Sequence, residues 1–275
     1  MHFRAVAVAP FTWGEEDRLR YSPQAEDVMV GDASKSPLKR AKRAADRVLV
    51  TLFGPRWLQF RARRAWDRHA RTRPLVATAS HDASDTGTYW RSGQRDWELL
   101  IGVANQAGLP ARRLALEIGC GLGRLTRLAA ADFERVIGLD VSPEMLRRAG
   151  IEAGAANVTY ALVGSDGRIP TGADSVDLVY AWTVFRHMSK AMFGRYLDEA
   201  RRVLKPGACL AFEALIRETG QRADPTTSDP DTEREYASDE MHEYARRHGY
   251  EWAADQVIPS LTEGTINLVV AWRKR

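Results

Sequence analysis

The stretch Leu114-Ala-Leu-Glu-Ile-Gly-Cys-Gly-Leu-Gly-Arg-Leu-Thr-Arg-Leu128 constrains the fold more than any other. A short apolar run bounded by charge and glycine predicts a buried parallel strand, and the apolar residues from Leu122 to Leu128 fall at helical spacing. The expectation is a strand, a glycine turn and a helix. Gly119, Gly121 and Gly123 let the backbone approach a ligand closely, and unpaired N–H groups at a helix start favour a polar or anionic group. Arg124 stands where a dinucleotide fingerprint needs its third glycine, which disfavours a packed pyrophosphate. Glu117, at the carboxyl end of the strand, would repel a diphosphate and attract a cationic or amino-bearing ligand of nucleoside-like shape.

Downstream, strands are predicted at Arg135–Val141, Val158–Val163, Val176–Trp182 and Ala208–Ala214. Helices alternate with them, from Ser142-Pro-Glu to about Gly150 and from Lys190 to Leu204. A helix from Ser238 through His248, then an antiparallel pair, Trp252–Ile258 and Thr265–Trp272, closes the chain. This alternation predicts an α/β doubly wound, mainly parallel sheet whose ligand crevice lies outside the carboxyl ends of the strands. Asp140 falls at one such end, where its carboxylate can accept both hydroxyls of a ribose. Asp166 falls at another: it either accepts an adenine amine or bonds its own backbone in a turn.

Charge divides the chain. Residues 35–73 hold 13 Lys and Arg against Asp46 and Asp67, a balance of 13 − 2 = +11, on a chain whose net charge is +4. Two helices are predicted there, Leu38–Phe53 and Trp57–Arg71, broken at Gly54-Pro55. Their arginines are either solvated and paired to the acidic body, or form a surface for a lipid headgroup, a phosphorylated substrate or RNA. Phe3–Ala9 reads as a short strand, Ala79–Thr88 as a linker or lid, and Glu218–Glu235 as an acidic loop. A helix is expected over Gln94–Ala107, with Trp90 before it capping the core or covering the ligand. The division expected is a basic, mostly helical extension over 1–85 and a catalytic domain over 86–275. Cys120 and Cys209, both in or beside strands, do not make a disulfide framework, which fits a reducing cytoplasm. No apolar run approaches the roughly 18 residues of a membrane span, and no metal-ligand spacing links the six histidines.

Taken in order, Glu117–Gly123, Gly138–Ser142, Gly164–Gly167, Asp177–Trp182 and Leu204–Gly207 resemble the motifs of the class I S-adenosylmethionine-dependent methyltransferases, particularly those acting on small molecules. The resemblance spans about Tyr89 to Arg275. It implies a Rossmann-like seven-stranded sheet with an antiparallel last strand, S-adenosylmethionine as donor and S-adenosylhomocysteine as product. By the same resemblance Gly119, Cys120, Gly121 and Gly123 lie against the methionine part, Asp140 and Val141 against the ribose, and Asp166 and Gly167 against the adenine. Glu117 would help hold the amino end, with the Ala181 carbonyl near it.

An activated methyl needs alignment more than chemistry, and a base only when the nucleophile is reluctant. His187, beyond the fourth strand, is the candidate base, with pocket shaping as the alternative. Arg186 is the candidate anchor for an anionic group, with a surface ion pair as the alternative, and Trp182, Phe185 and Tyr196 would form an apolar wall. The expected reaction is O-methylation of a metabolite, sugar-containing or lipid-linked product in secondary metabolism. N- or C-methylation, RNA methylation and a non-catalytic binding role are the other readings.

Overall fold

A computed structural model describes residues 49, 52–78, 85–217, 233–260 and 264–275. The strand expected at Phe3–Ala9 lies outside these residues, as do most of the Leu38–Phe53 helix, residues 79–84 of the linker and residues 218–232 of the acidic loop. From Ala45 onward the chain forms one compact unit.

Five parallel strands, β1 (Leu114–Ile118), β2 (Arg135–Asp140), β3 (Val158–Leu162), β4 (Val176–Ala181) and β5 (Leu204–Arg217), lie side by side in the order 3-2-1-4-5. Every residue of β1 and β4 is buried, as expected for strands covered on both faces. Alternate side chains feed two cores. Leu116, Ile118, Val179 and Phe212 face α6 (Lys190–Val203) and α7 (Ser238–Arg247); Ala115, Leu178, Tyr180 and Ala211 face α3 (Thr86–Gln106). The order reverses between β1 and β4, which opens a crevice at their carboxyl ends.

The terminal pair forms the expected antiparallel hairpin at the edge of the sheet, with the last strand inserted. β8 (Thr265–Lys274) inserts antiparallel between β5 and the edge strand β7 (Tyr250–Pro259), and a two-residue β6 (Glu235–Tyr236) pairs with the end of β5. That insertion explains the length of β5, which continues to Arg217 because β8 pairs with it from Cys209 onward.

Two helix boundaries also move. The helix expected from Gln94 begins at Thr86, because the Asp85 carboxylate accepts from Thr88 N at 2.9 Å and Thr88 Oγ1 at 2.6 Å, a helix start inside what reads as linker. The helix expected from Leu122 begins at Thr126 as α4 (Thr126–Asp132). Gly121 (φ +53°) and Gly123 (φ +82°) hold the intervening residues in successive turns. At the other end of the chain, α7 starts after Ala237 with no side-chain cap, so Ser238 does not serve as one.

α1 (Pro55–Thr72) starts after Gly54, whose φ of +54° breaks the preceding turn, with Pro55 in the first helical position. A five-residue α2 (Pro74–Thr78) follows. The boundary drawn at residue 85 falls between α2 and α3, and α1 is tied to the sheet domain at both ends. Gln59 Nε2 donates to Tyr196 Oη of α6 at 2.9 Å. Ser142 Oγ donates to Asp67 at 2.5 Å, at the start of α5 (Pro143–Glu152), and Arg148 of α5 donates to the Ala70 carbonyl at 3.0 Å. α1 thus bridges the helices that follow β2 and β4.

Candidate functional site

Beneath α1, a pocket opens at the carboxyl ends of β1, β2 and β4. One half is built from strand ends and the glycine turn: Glu117, Gly119, Cys120, Gly121, Asp140 and Val141. Positive φ at Gly119 (+72°) and Gly121 (+53°) turns the backbone towards the pocket. A Cβ at Gly119 would stand 2.5 Å from Val184 Cγ2, and one at Gly121 2.7 Å from Thr78 Cγ2, so neither position admits a side chain.

Glu117 is 3% exposed and accepts from Thr126 Oγ1 at 2.5 Å and Tyr180 Oη at 3.2 Å. Burial pushes its carboxyl up to about 8 despite those bonds and the charge of Arg124. Asp140 Oδ2 accepts from Gly121 N at 3.0 Å and Oδ1 from Ser142 N at 2.8 Å. Burial raises it to about 6, against those backbone bonds. Two buried acids on adjoining strands make this end of the pocket a place for positive charge.

The other half is apolar. Leu58, Ala62 and Trp66 of α1, Met192 and Tyr196 of α6, and Trp182 and Met188 of the loop after β4 line it. His187 joins this wall on a 3-10 turn, Phe185–His187, with its ring edge-on to Trp66 at 5.5 Å. Phe185, expected in the wall, instead packs in the core against Phe193 and Phe212.

Several expected site residues lie elsewhere. Arg186 does not line the pocket: its guanidinium binds Glu213, Glu233 (3.0 Å) and Asn267 (2.9 Å), so it is neutralised inside the protein and cannot anchor an anion in the pocket. Asp166 also lies outside the lining, on an exposed turn where its Oδ1 accepts from Arg168 N at 3.0 Å, a bond that holds its carboxyl below the usual range. Gly167 is outside the lining but directly behind it: a Cβ placed there would lie 3.1 Å from the Gln59 amide and 3.3 Å from Met192 Cε, two side chains that do line the pocket. Gly123 serves packing, since a Cβ would stand 2.4 Å from Tyr160 Oη. Ala181 is buried in the core, and Trp90, half-buried on α3, carries Arg127 over its ring at 4.6 Å.

Sequence reasoning missed α1 as pocket wall, and it missed Arg124. That side chain is 4% exposed, lines the pocket and is held by Asp96 (2.5 Å) and Ser92 (3.1 Å) of α3. Gly93 makes the approach possible, since a Cβ there would meet Arg124 Cγ at 2.9 Å. Among the described residues, no group of three or more His, Cys, Asp or Glu is placed to hold a metal ion, and no helix is long and apolar enough to cross a membrane.

Residues 115–207 match the family model of a methyltransferase domain. Over 115 residues the chain is 33% identical to an uncharacterised methyltransferase of Synechocystis sp., covering 42% of this chain and 52% of that protein. Over 107 residues it is 37% identical to trans-aconitate 2-methyltransferase of Methylobacterium radiotolerans, covering 38% of this chain and 39% of that protein. The chain therefore spans about half or less of these relatives' lengths. The crystal structure of the [4+2]-cyclase SpnF superposes with a TM-score of 0.61 at 18% identity, covering 78% of this chain and 96% of that one, a likeness of fold. Strand order, glycine turn and family match together identify a methyltransferase domain over residues 115–207 of this chain.

Proposed function

We propose that this protein transfers a methyl group from S-adenosylmethionine to a hydroxyl of an uncharged, largely apolar small molecule. The observation that carries the reading is the division of the pocket into an acidic half on the strand ends and an apolar half under α1. The acids suit the donor, which carries a sulfonium and an amino group. Glu117 would face that charge, Asp140 the ribose, and Gly119 and Gly121 would lie against the chain linking them. When bound, the donor supplies an electrophilic methyl on sulfur.

The protein's own work is then orientation and proton removal. Trp66, Trp182, Met188 and Met192 hold an apolar acceptor and exclude water from the line between nucleophile and methyl. The O–CH3 bond forms as the C–S bond breaks, and the hydroxyl proton passes to the His187 imidazole, a group suited to proton exchange near neutral pH. His187 sits in the apolar wall, which supports that role. Arg124 is the only Arg or Lys in the described lining, and Asp96 already neutralises it. A polycarboxylate, such as the trans-aconitate named for one relative, would find no free countercharge there.

Purified protein incubated with methyl-labelled donor and paired acceptors tests this. Neutral aromatic or isoprenoid alcohols are expected to become labelled, and their carboxylate analogues to stay unlabelled. His187→Gln is expected to lower kcat about a hundredfold with donor affinity unchanged. Labelling confined to carboxylates or to RNA, or unchanged turnover in His187→Gln, would remove the corresponding part of the reading.

A further inference from the structure

The outer face of α1 takes no part in the pocket. Arg56, Phe60, Arg63, Arg64, Arg68 and Arg71 are all exposed there, within an arc of about 140° of the helix at 100° per residue. The one acid of α1, Asp67, falls within the same arc but is half-buried and accepts from Ser142 Oγ at 2.5 Å, so the exposed side chains of the face are five arginines and Phe60. Arg64 lies over the Phe60 ring at 5.6 Å, so a guanidinium and an apolar ring are presented together. One turn earlier, Leu52 (68% exposed) and Phe53 (56% exposed) add apolar surface with no cover among the described residues.

We propose that this face docks on an anionic lipid surface, with the arginines at the headgroups and Leu52, Phe53 and Phe60 entering the acyl boundary. Arginine stems can lie along apolar surface while their heads stay with phosphates, and a basic helix with bulky apolar side chains is suited to such an interface. Charge complementarity selects an anionic partner, and the aliphatic and aromatic groups among the charges select a bilayer over a nucleic acid. α1 is also the roof of the apolar half of the pocket, so docking sets that roof against the phase in which an apolar acceptor would dissolve. This last link rests on the proposed function; the surface itself does not.

The test is co-sedimentation of the full chain with phosphatidylglycerol/phosphatidylcholine vesicles at low salt. S-adenosylhomocysteine binding, measured on the same samples, reports separately on the donor reading. Wild type is expected to bind these vesicles and to leave pure phosphatidylcholine. At about fivefold per basic side chain, Arg56→Gln/Arg63→Gln/Arg64→Gln/Arg68→Gln lowers partitioning by two orders of magnitude or more. Phe53→Ser/Phe60→Ser is expected to weaken binding while retaining its salt dependence, and both variants keep the wild-type melting temperature. No vesicle binding by wild type, equal binding by the arginine variant, or displacement from vesicles by RNA at lower concentration than by soluble lipid headgroup would overturn the proposal.

Discussion

The two halves of the pocket are held by different forces. At the strand ends, Asp140 is fixed by Gly121 N and Ser142 N, and Glu117 by Thr126 and Tyr180, all directional bonds within a close-packed sheet domain. Under α1 the wall is made of side chains in apolar contact, and the helix itself is anchored by a few polar bonds, chiefly Gln59 to Tyr196 and Asp67 to Ser142. The first half is rigid and tuned to charge; the second can be reshaped by changing side chains on one helix. A fold that keeps its donor and varies its acceptors needs this separation.

The comparison breaks most severely at Gly119. Gly119→Ala forces φ +72° on an L side chain and drives a Cβ to within 2.5 Å of Val184, so donor affinity is expected to fall a hundredfold or more. Calorimetry with S-adenosylhomocysteine on a variant that still melts cooperatively would check it. Trp66→Ala probes the other half: the acceptor KM is expected to rise about tenfold, roughly 1.4 kcal/mol, while donor affinity stays within twofold. Equal losses of donor and acceptor binding in that variant would erase the division.

The smallest effect is on pH dependence. Burial raises both carboxyls, so the folded chain favours their protonated forms. Their contribution to stability is full below 4.5 for Glu117 and 3.8 for Asp140, and is lost as pH rises through about 8 and about 6 respectively. A positively charged donor favours the ionised acids, so its affinity is expected to rise with pH over that same range. Melting curves with and without S-adenosylmethionine from pH 5 to 9 should therefore show ligand stabilisation growing as intrinsic stability declines.

The acidic half of the pocket was largely legible because its information is local. A buried strand, three glycines and an acid occupy ten consecutive residues from Leu114 to Gly123, and Asp140 follows from the next strand's end. The roof was not, because helical spacing shows that α1 has an apolar face without showing what that face covers. Arg186 fails for a related reason: its partners Glu213, Glu233 and Asn267 lie 27 to 81 residues away and meet only once β8 has inserted beside β5. Asp166 was one of two readings, and its Oδ1 makes the turn bond to Arg168 N. Asp85 shows the converse, a polar stretch whose capping bond was in the sequence but was read as linker.

The central claim is that the acidic end of this pocket binds a positively charged nucleoside donor. Calorimetric titration of the full chain at pH 7 with S-adenosylmethionine, in two buffers of different ionisation heat, tests it most directly. The account requires saturable binding accompanied by proton release, because the donor's charge ionises Glu117 from a resting value of about 8. Binding of NAD with no response to S-adenosylmethionine would contradict it.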